Sequence, residues 1–229
     1  MIQMMRAALV IGAIGLAGCA GGGDDPSFSR SADTSGIVDR WRTPTAKAPE
    51  LPATTPQFIA DLTTSALEVT LEKTGRSAVF SPFSDRSGPD RGALRVWGNA
   101  DGPQIVLRDG VLIATRGLGD DIGSTQSQDM QKFVTSRKAG SGSHEVYLIT
   151  PENGTERIDL TCDMKNAGSQ TLAIVQRAVE TIYLRADCRR GDFGIGYEFW
   201  VDPVKKTVWQ SRQWAGSSLG FVRTRLLKD

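Results

Sequence analysis

Apolar residues fill positions 7–17, "AALVIGAIGLA", without a break. The run is shorter than the ~20 apolar residues of a membrane-spanning helix. With Arg6 before it and small residues at its end, it has the build of a secretory signal. Apolar patterning then stops. Residues 20–56 are rich in Gly, Ser, Thr, Asp and Pro, with prolines at 26, 44, 49, 52 and 56. Such a composition does not build a packed core. It predicts a disordered tether that spans about 35 Å as a flexible coil. "GIVDRW", 36–41, is its one apolar interruption.

From Pro56 the pattern becomes periodic. Phe58, Ile59, Leu62 and Ala66 recur at helical spacing behind Thr55-Pro56, an N-cap and first helical residue. This predicts a short helix at about 57–66. Alternation with period two follows in Leu67, Val69 and Leu71, then "KTG" offers a turn and "RSAVFSP" a second strand. "ALRVWG" and "QIVLRDGVLIATRG" continue the pattern, with Asp109-Gly110 as a hairpin turn. Alternation is lost over 118–145, which predicts a long loop with room for one helical turn. Strand patterns resume in "EVYLIT", "ERIDLTC", "TLAIV", "AVETIYLRADC", "YEFWVD", "TVWQSRQW" and "GFVRTRLL". Strands at such intervals, with no βαβ rhythm, predict an all-β antiparallel meander. So many strands in one domain curl or close. The expectation is a curved sheet, a partial barrel or a sandwich.

Composition is ordinary for a globular chain, at 39% hydrophobic and 23% charged. Leu16-Ala17-Gly18-Cys19 resembles the bacterial lipobox, which implies cleavage before Cys19 and lipidation of that cysteine. The expected organisation is a signal peptide at 1–18, a lipidated tether at 19–56 and a β-rich domain at 57–229. Two or three acyl chains anchor a protein essentially permanently, whereas one binds reversibly. Ala20 stands where lipoproteins retained at the inner membrane usually carry Asp, which implies sorting to the outer membrane, with the domain facing the periplasm. Without Arg6, the mature chain carries 26 basic against 26 acidic residues. That balance argues against nucleic acid as the main partner. It also gives no reason to expect polybasic attraction to membranes. With Cys19 acylated, Cys162 and Cys188 remain in an oxidising compartment and are candidates for a disulfide.

"LRVWG…QIVLRDGVLIATRGLGDDI" and the C-terminal "FWVDPVKKTVWQSRQWAGSSLGFVRTRLLK" resemble the YjbF/GfcB lipoproteins. In that family a Trp strand precedes a hairpin ending in T-x-G-L, here Thr115, Gly117 and Leu118. W-x-S-x-Q follows near the end, here Trp209, Ser211 and Gln213. The resemblance covers roughly 57–228. The chain departs from it at Ala215-Gly216, where the family usually shows Ser-Pro. The resemblance implies a mostly β fold, an outer-membrane anchor, and a part in making, exporting or attaching exopolysaccharide or capsule. It implies no established catalysis and no cofactor. The polymer itself, or a protein of the export machine, is the implied partner.

Candidate chemistry is sparse. His144 is the only histidine; in "GSGSHE" it reads as an exposed loop residue, and no second His or Cys stands near enough in sequence for a zinc site. Asp120 and Asp121 are adjacent carboxylates that read as a solvated turn rather than a glycosidase pair. Gly117, Gly119 and Gly123 lack the Lys-Ser/Thr of a phosphate loop. Tyr197, Phe199, Trp200, Trp209 and Trp214 lie close together, with Arg212 and Gln213 between them. A tryptophan face stacks on the C–H face of a sugar, while amides and guanidiniums pair with hydroxyls. Trp97, Trp200, Trp209, Arg212, Gln213 and Trp214 are therefore the ligand candidates. Alternation puts 209, 211 and 213 on one face of a strand and 210, 212 and 214 on the other, so at least one tryptophan belongs to the core. A carrier or chaperone for lipid or protein, and a polysaccharide-modifying enzyme, are the alternatives.

Overall fold

The computed structural model describes residues 55–86, 88, 92–98, 102–175 and 177–229. The signal segment, Cys19, the tether as far as 54 and "GIVDRW" lie outside the described residues. Among those described, the helices are α1 (Pro56–Asp61) and α2 (Gln128–Ser136). The strands are β1 (Ala66–Leu71), β2 (Arg76–Phe80), β3 (Pro82–Asp85), β4 (Leu94–Gly98), β5 (Gln104–Arg108), β6 (Val111–Arg116) and β7 (Ile122–Gln126). They continue as β8 (Gly140–Ile149), β9 (Thr155–Ile174), β10 (Arg177–Arg190), β11 (Phe193–Val201), β12 (Val208–Trp214) and β13 (Phe221–Lys228).

The expected all-β architecture takes the form of a curled half-barrel. Its nine-stranded sheet has the order β2-β1-β13-β12-β11-β10-β9-β8-β7. Its meander runs unbroken from β7 to β13. The hairpin β1–β2 then closes onto the last strand, because β1 pairs with β13 over Ala66–Leu71. Strands β3–β6 form a separate four-stranded sheet. Curling brings the His144 and Tyr197 rings to 5.2 Å, although β8 and β11 are three strand positions apart, about 14 Å across a flat sheet.

Alternating positions on β8–β13 and β1 point inward. Val146, Leu160, Leu184, Phe199, Val201, Val222 and Leu67 form one cluster with Trp97, Ile105, Val111 and Leu112 of the small sheet. The small sheet therefore fills the hollow of the large one. A second cluster lies on the opposite face, where Val79, Ala66, Ile174 and Leu227 are covered by Phe58, Ile59 and Leu62. The Thr55 side chain accepts from the Phe58 N–H (3.1 Å) and Pro56 opens α1.

Three local expectations are corrected. First, α1 ends at Asp61, not 66: Leu62 is already extended, and Ala66 is buried as the first residue of β1. Second, the stretch 118–145 is β7, α2 and the start of β8. Two of its glycines make room for a helix. A Cβ on Gly140 would stand 2.3 Å from Phe133, and one on Gly142 would stand 2.4 Å from Asp129. Third, "ERIDLTC" and "TLAIV" belong to one long strand, β9, paired with β10 as far as Ile174. The strand continues through "KNAGSQ" by a bulge at Ala167–Gly168, where Gly168 takes the left-handed φ of 89° that suits glycine.

Candidate functional site

Both family motifs are spent on holding the structure together. Gln213 is 1% exposed and points inward from β12. Its Oε1 accepts the Leu112 N–H at 2.8 Å, and its Nε2 donates to the Gly110 carbonyl and to Ser211 Oγ, each at 2.8 Å. Ser211 in turn pairs with Thr224 at 2.7 Å. This polar cluster fastens the β5–β6 hairpin to the large sheet. In the other motif, Thr115 donates to Asp121 Oδ1 (2.7 Å) and its Oγ1 accepts the Ile122 N–H (2.9 Å). Asp121 also accepts the N–H groups of Gly117 (2.7 Å) and Leu118 (3.2 Å). Its carboxylate organises the β6–β7 turn and is not simply solvated.

The ligand candidates divide accordingly. Trp97 (2% exposed), Gln213 and Trp214 (6%) are core residues and present no face on the outer surface. Trp209 does not share the 211/213 face, because the β11–β12 register shifts there: Trp200 pairs with Gln210 but Val201 pairs with Val208. In that bulge Trp209 packs on the margins of both apolar clusters and donates to Asp202 Oδ2 at 3.2 Å. Arg212 lies on the outer face, bonded to Glu72 (2.8 Å) and 3.5 Å above the Phe221 ring. Trp200 also faces outward, half-buried.

Around Trp200, a candidate from the sequence, the outer face carries a connected site whose other members sequence reasoning missed. On β11, Ile195, Tyr197, Phe199 and Val201 point into the core, so Gly194, Gly196, Glu198 and Trp200 share the opposite face. They span about 20 Å of strand. Pairing with β10 sets Tyr183, Arg185, Asp187 and Arg189 beside them in the same order, from Trp200 to Gly194. Tyr183 stacks on Trp200 with ring centres 4.9 Å apart and planes 29° apart. The indole N–H donates to Gln170, and the Tyr183 hydroxyl donates to Glu198 at 2.5 Å. Burial, then Glu198, pushes the Tyr183 phenol up to about 12. Asp187 is held below the usual carboxylate range chiefly by Lys165, with Arg185 assisting. At the far end Gly194 and Gly196 floor a trough of about 470 Å³ walled by Arg185, Arg189 and Asp192. The one signal available in sequence was "FGIGYEFWV", in which glycine occupies two successive outward positions.

These glycines have no duty within the fold. Neither adopts a positive φ, and a Cβ on either would meet no atom within 4 Å. Glycine inside a strand weakens it, and one of its recurrent uses is close approach of a ligand to the backbone.

His144 is not an exposed loop residue. It lies on β8 at 2% exposure, in edge-on contact with Tyr197, and burial pushes its imidazole down to about 4. Helix α2 covers the glycines that precede it on the same inward face, which is why a Gly/Ser-rich stretch ends in a buried histidine. Among the described residues, no cluster of His, Cys, Asp and Glu is placed to hold a metal ion. Cys162 and Cys188 occupy paired positions on β9 and β10, with their sulfur atoms 1.96 Å apart. A further cavity of about 430 Å³ between the sheets is walled by Leu67, Trp97 and Leu226 but rimmed by Arg95, Asp109 and Asp229.

Similarity to known proteins agrees with this architecture. No curated protein matches the chain significantly. Among solved structures, the chain is similar to the crystal structure of the hypothetical lipoprotein YmcC from Escherichia coli K12. The TM-score is 0.65 and the identity 18%, with 87% of this chain and 97% of that one covered. At that identity the likeness speaks for the fold. Residues 44–227 match the family described as group 4 capsule polysaccharide lipoprotein gfcB, YjbF. The chain, four-fifths of which is matched, belongs to the YjbF family of capsule-associated lipoproteins.

Proposed function

We propose that this protein is a non-catalytic, lipid-anchored component of exopolysaccharide or capsule assembly and export, and that it binds glycan along the outer face of β11. In this reading Cys19 is lipidated, residues 1–18 are removed, and the domain stands in the periplasm at the outer membrane. The observation that carries the glycan site is the pair of glycines at 194 and 196, which leave open a trough that the fold does not need. The stacked Tyr183–Trp200 pair lies on the same strand face and supplies a platform for a sugar ring. Arg185 and Arg189 offer planar donors to hydroxyls or carboxylates along the trough.

Filling the trough separates binding from folding. Gly194→Thr with Gly196→Thr puts β-favouring side chains into open space, so the thermal unfolding temperature should stay level or rise. Retention of the organism's own polymer by the purified protein, and polymer secretion by the cell, should both fall. Trp200→Ala should weaken retention too. Unchanged retention and secretion in the glycine variant would remove this site from the reading. Shortening or de-esterification of the polymer by the purified protein would overturn the non-catalytic part.

A further inference from the structure

We infer that one end of the large sheet, formed by the β9–β10 and β11–β12 turns, docks on an anionic lipid bilayer. Both turns lie at the same end because β9, β10, β11 and β12 are successive antiparallel neighbours. The β11–β12 turn carries Val204 at 86% exposure, followed by Lys205 and Lys206. Its shape is fixed: Asp202 accepts the N–H groups of Val204 (2.9 Å) and Lys205 (2.7 Å), and Arg137 donates to the Lys205 carbonyl (3.3 Å). The β9–β10 turn carries Val175 at a φ of 56°, an outlying conformation for a β-branched residue. Beside it the Arg177 guanidinium lies 4.9 Å above the Trp209 ring. Two shallow grooves that meet at Arg177 join these tips into one strip. It runs from Val204 past Trp209 and Val175 to Ile59 and Pro56.

Aliphatic tips, a tryptophan and long cationic side chains make up the chemistry of the water–lipid boundary, where apolar parts enter and charges stay with the headgroups. The charge balance points the same way. Arg137, Arg177, Lys205 and Lys206 stand at this end and outnumber its carboxylates, those of Asp202, Glu180 and Asp61. A bilayer is favoured over a protein partner because the chain leaves the strip at Pro56 towards Cys19. On the reading that Cys19 is lipidated, a coil of about 35 Å holds this end near the bilayer. Its effective concentration there is in the millimolar range, so a weak surface is enough. Docking by these tips sets the β11 trough about 23 Å up the strand, away from the lipid.

The test uses the chain from residue 19 onward with Cys19→Ser, so that no acyl chain contributes. It is mixed with vesicles of one part phosphatidylglycerol to three parts phosphatidylethanolamine, and with vesicles of phosphatidylcholine alone. Co-sedimentation is expected with the anionic vesicles and not with the neutral ones. It should be lost when salt is raised from about 0.1 M to about 1 M, which shortens the Debye length from about 10 Å to about 3 Å. Lys205→Gln with Lys206→Gln should weaken partitioning about thirty-fold at an unchanged unfolding temperature, and Val204→Asp should weaken it further. Wild-type protein left in the supernatant, equal binding to both lipids, or a double variant that sediments like the wild type would overturn the proposal. The assay depends neither on acylation nor on glycan, so failure here is distinct from failure of the anchor or of the trough.

Discussion

Gln213 carries hydrogen bonds in both directions between the two sheets, and its replacement isolates that role. In Gln213→Leu the Leu112 N–H and the Gly110 carbonyl lose their partner inside the core. Unsatisfied buried groups of this kind cost about 1–3 kcal/mol each. A urea unfolding curve should show a loss of about 3 kcal/mol, with glycan retention unchanged in the fraction that stays folded. A loss of retention without a loss of stability would return Gln213 to the ligand candidates. His144 gives a pH signature. Unfolded, its imidazole titrates near 6.5, while in the fold burial holds it at about 4. The neutral form is the one the fold accepts, so the stability tied to it is complete above about pH 6.5 and is lost as pH falls towards 4. Between pH 7 and pH 5 the wild type should lose about 2 kcal/mol from this group. His144→Phe should lack that part of the slope, and an identical slope in the two proteins would refute it. Neither role was legible in sequence: a polar residue on a strand such as Gln213 looks the same whether it faces ligand, water or a second sheet, and His144 follows a Gly/Ser-rich stretch that reads as loop.

At the scale of elements, the long hairpin β9–β10 is the spine of the large sheet, and Cys162 and Cys188 sit opposite one another within it. A bond between them closes a sequence separation of 26 residues. In the chain-entropy picture it stabilises the fold by about 3.5 kcal/mol. The mature protein, denatured without reductant, should show no free thiol, and reduction should lower its urea midpoint accordingly. Two titratable thiols in the unreduced protein would exclude the bond. Period-two alternation located most strands within a few residues. It failed where an element's residues answer to a neighbour rather than to their own pattern. Gly140 and Gly142 look like loop residues but are strand positions cleared for Phe133 and Asp129 of α2. Trp209 sits in a bulge that cancels the expected parity of β12.

For the whole molecule, the decisive residue is Cys19. On the reading that Cys19 is lipidated at the outer membrane, Cys19→Ser should leave the protein held to anionic membranes only by the sheet tips, so that salt of about 1 M releases it to the soluble fraction. A Ser variant that still fractionates with outer membrane in high salt would contradict lipid anchoring. Sequence alone determined the all-β class, the antiparallel succession from β10 to β13 and the family. These rest on local alternation, turn chemistry and short motifs, which are properties of neighbouring residues. Tertiary structure alone decided which side chains are available to a partner. Curling turns one face of every strand inward, and the small sheet then buries Trp97 and Gln213 within that hollow, so exposure follows from contacts between residues a hundred positions apart. The same contacts leave Gly194, Gly196 and Trp200 outside, beside residues of β10 that only the register of the sheet brings to them.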